Sequence, residues 1–260
     1  MNYAINKKSI SAIRTEANHS SEMTSQLLFG EYCKVISSNG DFYEIENCLD
    51  KHSGWITKDS LFELNEEDIK ALKTQPNIRI CEPIVDVFCL TDKTIYRFPA
   101  GSLISNFDPD TSKFELAGKT FQIHPSFISY LPQGNPEGII PTALSFLNTP
   151  YLAGGKNLLG MDCSGFAQTV YSINGYILPR FSAQQAETGK TIDNLTDAEV
   201  GDLLFFRKED TPSHTAIYMG NNKIIHARDI VCIEDIDDTG FNLSGSKYNR
   251  YQLYKITRVI

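Results

Sequence analysis

A cysteine, Cys163, lies between two small polar residues at the start of an apolar helical pattern. The apolar face of that pattern consists of Cys163, Phe166, Ala167, Val170 and Tyr171. Asp162 is a typical N-cap residue, and Asn174-Gly175 is typical of a helix C-terminus. Cys163 is therefore predicted in the first helical turn, where unpaired backbone N–H groups and the helix dipole favour an anion. Because such positions lower the pKa of a thiol, Cys163 is a candidate nucleophile; the alternative is a small buried side chain.

The carboxylate of Asp162 is unexpected beside a nucleophilic thiol. A neighbouring negative charge disfavours the thiolate and raises its pKa. Ser or Thr would cap the helix without this electrostatic cost. A second role, pairing with an ammonium group of the substrate, would explain why a charge is tolerated there.

A cysteine nucleophile needs a general base, and the base needs a group that orients it. Three of the five histidines, His19, His52 and His124, lie among loop-type residues and are predicted to be exposed polar side chains. His214 and His226 instead lie in alternating apolar segments that are typical of strands. Each could be a structural residue, but two beside a helix-terminal cysteine favour a catalytic triad.

The two histidine strands are joined by residues 220–222. With these three residues as the loop, Met219 faces Lys223 and Ala216 faces His226. His214, two residues from Ala216, then shares a face of the hairpin with His226. A two-residue loop would put His226 on the opposite face.

Composition limits the classes of function. The chain has 260 residues, enough for one to three domains with sizeable cores. A formal net charge of -8, from 24 basic and 32 acidic residues, argues against nucleic acid as a partner. No apolar run is long enough for a membrane span, and residues 1–10 lack the apolar segment of a signal peptide.

The cysteines show no metal-binding or redox spacing. The six are Cys33, Cys48, Cys81, Cys89, Cys163 and Cys232. Without a C-x-x-C pair or a zinc-type spacing, we expect no metal and no cofactor. Reduced cysteines and the lack of a visible signal favour the cytoplasm; a signal peptide that had been removed would indicate the periplasm or secretion.

The elements that position these residues fall into three segments. Residues 1–64 contain short alternating stretches and the turn signal Asn39-Gly40-Asp41, which predict a small all-β barrel. Residues 65–132 predict a linker helix at 66–73 and a second, more divergent barrel. Pro132, Gly134, Pro136 and Gly138 indicate a domain boundary.

Residues 133–260 differ in character from the β-rich segments. A helix is predicted at 141–147, followed by the cysteine helix. Strands are predicted at 202–206, 214–219, 223–227 and 251–259. Helices followed by antiparallel strands predict an α+β fold class.

Four motifs in this order resemble the NlpC-type cell-wall cysteine peptidases. They are residues 162–166, 201–206, 214–220 and 225–227, within a match of roughly residues 138–260. The resemblance implies a papain-like catalytic domain at 133–260, preceded here by two SH3-like barrels. It also implies Cys163 as nucleophile, His214 as base and His226 as the orienting group.

Two further motifs resemble the γ-D-glutamyl-L-diamino-acid endopeptidases of this family, namely Tyr151-x-x-Gly154-Gly155 and residues 178–182. This resemblance implies hydrolysis of the γ-D-Glu–diamino acid bond in muropeptides with a free N-terminal L-Ala, as in cell-wall peptide recycling. The substrate-binding residues that it implies are Tyr151, Asp162, Ser164, Ser182, Glu22 and, as an aromatic wall, Trp55. A lone tryptophan is more often a core residue.

Alternatives remain on the same core. An N-acetylmuramoyl-L-alanine amidase or an acyltransferase would use the same nucleophile, whereas a catalytically silent protein would only bind the cell wall. The complete set of Cys163, His214 and His226 favours the peptidase. We expect a monomer that binds cell-wall stem peptides, and neither nucleic acid nor a membrane as partner.

Overall fold

The computed structural model describes residues 2–75, 77–131, 133–207, 212–242 and 250–260. Contacts divide the chain into two compact units, Met1–Gln133 and Gly134–Ile260. The boundary lies in the Pro/Gly-rich segment that the sequence indicates, of which Pro132 is outside the described residues. The division of the first unit into domains at 1–64 and 65–132 stays a prediction.

The first sheet of the first unit has seven strands. They are β1 (Asn2–Asn6), β2 (Ile10–Arg14), β3 (Met23–Leu28), β4 (Tyr32–Asn39), β5 (Phe42–Asn47), β6 (Ser53–Thr57) and β7 (Leu61–Leu64). Neighbours pair antiparallel in the order β3-β2-β6-β5-β4-β1-β7. The predicted turn joins β4 to β5, where Gly40 has a φ of 54°.

A helix and two smaller sheets complete the first unit. Helix α1 (Glu66–Thr74) begins with a capping box, in which the side chains and backbones of Asn65 and Asp68 exchange hydrogen bonds. The strands that follow are β8 (Ile78–Ile80), β9 (Ile84–Cys89), β10 (Thr94–Pro99), β11 (Leu103–Ile104), β12 (Lys113–Leu116), β13 (Lys119–Gln122) and β14 (Ile128–Tyr130). They form the sheets β10-β9-β13-β12 and β11-β8-β14.

The two β segments of the first unit share a core. Phe29, which follows β3, stacks on Phe98 of β10 with 3.8 Å between ring centroids. Phe29 also meets the edges of Phe114 and Phe121, from β12 and β13. The segments therefore bury apolar surface against each other, which explains why they form one compact unit.

In its described residues, the second unit combines three α-helices with an antiparallel sheet. In chain order the elements are α2 (Ile139–Leu144), β15 (Lys156–Asn157), β16 (Gly160–Met161), α3 (Cys163–Ile173), α4 (Ser182–Gln185), β17 (Lys190–Ile192), β18 (Leu203–Arg207), β19 (Pro212–Gly220), β20 (Lys223–Ala227), β21 (Val231–Asp235), β22 (Gly240–Asn242) and β23 (Arg250–Arg258). The main sheet has the order β17-β23-β18-β19-β20-β21, with β22 beside β23. The α+β class is confirmed.

The structure corrects the predicted helix at 141–147. Helix α2 begins two residues earlier, at Ile139, because a 3-10 turn at Pro136–Gly138 leads directly into it. Among the described residues, no helix is both long and apolar enough to cross a bilayer.

Helix α3 is buried on almost all sides, with only Ser172 half-exposed. It packs against β19 and β20, the strands of the two histidines. At its C-terminal end, the Tyr171 hydroxyl donates a hydrogen bond to the Gly201 carbonyl. This burial holds the N-terminus of α3, and with it Cys163, against the face of the sheet.

The shared core of the first unit generates a stability prediction. We expect Phe29→Ala to lower the free energy of unfolding by about 3–5 kcal/mol, because it removes a fully buried ring. Phe88 is 43% exposed, so the matched control Phe88→Ala is expected to cost under about 1 kcal/mol. Chemical denaturation followed by the fluorescence of Trp55 measures both. Similar losses in the two variants would contradict a shared core.

Candidate active site

Cys163 is the first residue of α3, as the sequence predicts. Asp162 is the N-cap, and its Oδ1 accepts a hydrogen bond of 2.7 Å from the Gly165 N–H. Asn174 ends the helix and Gly175 follows with a φ of 88°. Cys163 is buried, so its thiol lies at a helix N-terminus largely shielded from water.

A buried ion pair supports this helix start. The guanidinium of Arg180 donates to both carboxylate oxygens of Asp162, at 3.0 Å to Oδ1 and 2.6 Å to Oδ2. The Arg180 side chain is fully buried, and that of Asp162 is 13% exposed. The Asp162 carboxylate also accepts hydrogen bonds from the Gly154 N–H and the Ser164 hydroxyl. One carboxylate therefore fixes the helix start, the loop before it and Arg180.

Arg180 changes the interpretation of the Asp162 charge. Because the guanidinium balances the carboxylate, no substrate ammonium is needed to explain why a charge is tolerated there. Contact between Asp162 and the amino end of a substrate stays a prediction.

The expectation that the helix position lowers the pKa of Cys163 is wrong for the resting thiol. Burial raises the pKa of Cys163, and the Asp162 carboxylate raises it further. Hydrogen bonds from the Thr215 backbone and the Ser182 side chain, and the charge of Arg180, lower it by less. A thiolate at this position therefore needs a base.

Helix α4 and strand β19 each place a polar group beside the sulfur of Cys163. Ser182, the first residue of α4, has its hydroxyl 3.7 Å from the Cys163 Sγ. The Thr215 backbone forms a hydrogen bond with Cys163, and Thr215 directly follows His214 in β19. The nucleophile candidate therefore lies beside the strand that carries the candidate base.

The two candidate histidines meet on one face of the sheet, as predicted. The His214 Nε2 lies 2.6 Å from the His226 Nδ1, and both rings are buried. This distance is that of a hydrogen bond, which occupies Nε2 of His214 and Nδ1 of His226. The other ring nitrogen of His214, Nδ1, is the one that we assign to the thiol.

The connecting loop differs from the prediction. It has two residues, Asn221 and Asn222, both with positive φ, and Gly220 pairs with Lys223. A bulge at Met219 takes up the extra residue, so the expected pairing of Met219 with Lys223 is wrong. Ile217 pairs with Ile225, which is the register in which Ala216 lies opposite His226. The predicted shared face is therefore preserved.

His226 is held neutral by its surroundings. Burial, with a smaller effect of the Arg228 charge, lowers the pKa of His226 to about 4. A neutral imidazole has one donor and one acceptor nitrogen. When His214 is protonated, its Nε2–H must donate to the His226 Nδ1, which places the His226 proton on Nε2.

The structure brings the predicted substrate-binding residues of the second unit together. Tyr151 forms a bridge with Met161, immediately before Asp162. Burial, with the Cys163 thiol and the Asp162 carboxylate nearby, raises the pKa of Tyr151 to about 12, so its phenol stays protonated. Ser164 is buried, and its hydroxyl accepts a hydrogen bond of 3.0 Å from Arg180.

Glu22 and Trp55 lie in the first unit. Glu22 is exposed immediately before β3, and Trp55 is half-buried in β6 rather than part of the apolar core. Arg14 pairs with both Trp55 and Met23, so the backbone places Glu22 and Trp55 near one end of the sheet. A substrate contact by either residue stays a prediction.

Sequence reasoning missed three residues around the site. Arg180 was recognised only as part of a motif, although a carboxylate in an apolar setting signals the need for a counter-charge. Cys232 and Glu234, on the unpredicted strand β21, lie 3.6 Å and 3.8 Å from the His226 Nε2. The alternation of Val231 and Ile233 with polar residues is the signal that would have indicated this strand.

Comparison with known proteins agrees with this geometry. Residues 148–247 match the NlpC/P60 family. The second unit is an NlpC/P60 domain. Residues 13–61 match the bacterial dipeptidyl-peptidase Sh3 domain. The expectation of an NlpC-type cysteine peptidase with an N-terminal SH3-like domain is confirmed.

Curated relatives cover different shares of the chain. The chain is 29% identical over 216 residues to the gamma-D-glutamyl-L-lysine dipeptidyl-peptidase of Bacillus subtilis (strain 168), covering 78% of this chain and 71% of the relative. It is 34% identical over 143 residues to dipeptidyl-peptidase 6 of Lysinibacillus sphaericus, covering 49% of this chain and 50% of the relative. The chain thus spans about half of the second relative.

Solved structures share the fold. A crystal structure of an NlpC/P60 family protein from Bacillus cereus ATCC 10987 has a TM-score of 0.82 at 19% identity and covers 99% of each chain. An NlpC/P60 endopeptidase from Photobacterium damselae subsp. piscicida has a TM-score of 0.73 at 16% identity, covering 97% of this chain and 70% of that chain. These likenesses concern the fold, including that of the NlpC/P60 domain.

The Arg180–Asp162 pair of the NlpC/P60 domain generates a second prediction. Arg180→Met leaves a buried carboxylate without its counter-charge, so we expect a loss of about 3–5 kcal/mol in the free energy of unfolding. Arg97→Met is the matched control, because Arg97 and Asp86 form an exposed pair expected to contribute under about 1 kcal/mol.

Adding Asp162→Asn to Arg180→Met should recover most of the lost stability, since it removes the unpaired charge while keeping a capping side chain. Denaturation curves of the single and double variants test this coupling. An Arg180→Met variant as stable as Arg97→Met would show that the pair does not support the helix start.

Proposed function

We propose that this chain is a cysteine peptidase that cleaves the γ-D-Glu–diamino acid bond of free cell-wall stem peptides with an N-terminal L-Ala. The 2.6 Å hydrogen bond between His214 and His226, next to the helix-terminal Cys163, carries this proposal. It supplies the nucleophile, base and orienting group that acyl transfer needs.

In the proposed reaction, the His214 Nδ1 takes the proton of the Cys163 thiol. The Sγ attacks the γ-carbonyl carbon of D-Glu, and the imidazolium of His214 donates its Nε2–H to neutral His226. His214 then gives its Nδ1 proton to the departing amine of the diamino acid. Water activated by His214 hydrolyses the thioester and restores the thiol.

The N-terminus of α3 is suited to the negative charge that develops on the carbonyl oxygen. The first N–H groups of a helix have no intrahelical acceptor, and the helix dipole favours an anion there. We assign the backbone N–H of Cys163 to this oxyanion site. Because the donor is backbone held by a buried helix, it needs no rearrangement during the reaction.

The substrate class is supported by the comparisons and by the surroundings of Cys163. Two relatives are named as dipeptidyl-peptidases, and the first unit matches a domain described for bacterial dipeptidyl-peptidases. An enzyme that releases a dipeptide has to recognise a free amino end two residues before the scissile bond. Tyr151, Ser164 and Ser182 near the sulfur are our candidates for contacts to that dipeptide.

Recognition of the amino end is divided between several groups in this proposal. The Asp162 carboxylate already accepts five hydrogen bonds from protein donors, which limits what it can add to a substrate ammonium. We therefore assign more of the charge recognition within the second unit to the phenol of Tyr151.

A free and an acetylated substrate test this function. We expect cleavage of L-Ala-γ-D-Glu-diaminopimelate and loss of about 1.5 to 4 decades in kcat/KM on N-acetylation. The physical reason is that acetylation removes the ammonium and leaves recessed acceptors unpaired, at a cost of about 2–5 kcal/mol. Mass spectrometry of the products should show the dipeptide L-Ala-D-Glu and a free diamino acid.

Control variants distinguish this activity from its alternatives. Cys163→Ala should abolish cleavage, since losing a covalent nucleophile costs several orders of magnitude. A new amino terminus on L-Ala, from a substrate extended by N-acetylmuramic acid, would identify an amidase instead. Equal cleavage of the free and acetylated peptides would refute recognition of a free amino end.

A further inference from the structure

A group of potential metal ligands lies on the side of His226 that faces away from His214. His226, Cys232 and Glu234 each offer one atom, and these atoms lie within 4.8 Å of one another. His226 of β20 stands directly opposite Cys232 of β21, and Glu234 is two residues further along β21. Since side chains two apart on a strand share a face, the hairpin itself holds all three on one side.

The spacing fits a tetrahedral cation. The His226 Nε2 lies 3.6 Å from the Cys232 Sγ and 3.8 Å from a carboxylate oxygen of Glu234. Tetrahedral angles with ordinary zinc–nitrogen and zinc–sulfur bond lengths require a nitrogen–sulfur separation of about 3.6 Å. A ligand set of imidazole, thiolate and carboxylate binds zinc in preference to magnesium or calcium.

A cation can reach this group from solvent. Cys232 and Glu234 line a cleft of about 830 Å³ in the second unit. Of the described residues, Asp229, Asp235 and Asp237 also line the cleft, against one basic side chain, Arg228. This excess of carboxylates raises the local concentration of cations, and a water molecule from the cleft can complete four-coordination.

We propose that His226, Cys232 and Glu234 bind Zn²⁺, and that the bound ion switches off the Cys163–His214 pair. The inhibitory effect rests on the proposed function, whereas the binding does not. On binding, the Cys232 thiol releases its proton to solvent, and so does the His226 Nε2. The proton on the His214 Nε2 passes to the His226 Nδ1, and His214 takes up one proton from solvent at Nδ1, so both rings stay neutral.

Inhibition follows from the position of the His226 proton. With Zn²⁺ on Nε2, neutral His226 carries its proton on Nδ1, which then donates to the His214 Nε2. The Nδ1 of neutral His214 must in turn carry the other ring proton, so it cannot accept one from Cys163. Holding a catalytic histidine in the wrong tautomer costs on the order of 10⁴ in kcat in a related arrangement.

Direct binding is measured in a Cys163→Ala background, so that the nucleophile cannot contribute. Titration with Co²⁺, a spectroscopic substitute for Zn²⁺, should give a thiolate-to-cobalt absorption band that Zn²⁺ displaces. Adding Cys232→Ser should remove the band and weaken Zn²⁺ binding at least about 100-fold, the upper range for losing even an outer-shell partner. Adding Cys48→Ser, another half-buried free cysteine, should change neither.

Inhibition is measured in the chain with Cys163 intact. Zn²⁺ should lower kcat/KM by on the order of 10²–10⁴. Relative to its own metal-free activity, Cys232→Ser should need at least about 100-fold more Zn²⁺ for the same fractional inhibition. No cobalt band in the Cys163→Ala background, or a band that survives Cys232→Ser, would overturn the site. Unchanged inhibition of Cys232→Ser would place the inhibitory ion on the catalytic thiol instead and overturn the switch.

Discussion

The buried pair between Arg180 and Asp162 is the interaction on which the catalytic geometry depends. Its two hydrogen bonds neutralise a carboxylate that also caps α3 and holds the Gly154 backbone. Without the guanidinium, this charge would be buried unpaired one residue before the nucleophile. The pair therefore allows a helix N-terminus with a strong cap to lie beside a thiol, while limiting the electrostatic cost to the thiolate.

The second constraint is the row of side chains across β19, β20 and β21. His214, His226 and Cys232 lie on one face, and each contacts the next through a ring nitrogen or sulfur. In such a row, the proton position on one member determines which nitrogen its neighbour can use. Whatever binds Cys232 and Glu234 of β21 can therefore change the tautomer of His214. Neither Cys232 nor Glu234 contacts Cys163 in our proposal.

The sequence predicted those parts of the site that depend on neighbouring residues in the chain. The cysteine helix and its caps, and the strands of His214 and His226, follow from apolar periodicity and turn residues. Arg180 could not be paired with Asp162 in this way, because nothing in the spacing of residues 18 apart specifies a contact. The bulge at Met219 was also missed, since an extra residue in a strand is decided by how the neighbouring strands pair. The lowered pKa expected at the helix end failed because burial depends on the whole fold.

In the proposed mechanism, His214, kept in its active tautomer by neutral His226, creates the thiolate of Cys163. The most direct test is the rate at which iodoacetamide alkylates Cys163 as pH is varied, followed by mass spectrometry of the Cys163 peptide in wild type and His214→Ala. We predict alkylation of the wild type at neutral pH. In His214→Ala, the thiol has no base and burial still raises its pKa, so half-maximal reaction should require a pH above the ordinary value of about 8.5. The same pH profile in both proteins would show that the imidazole does not activate the nucleophile.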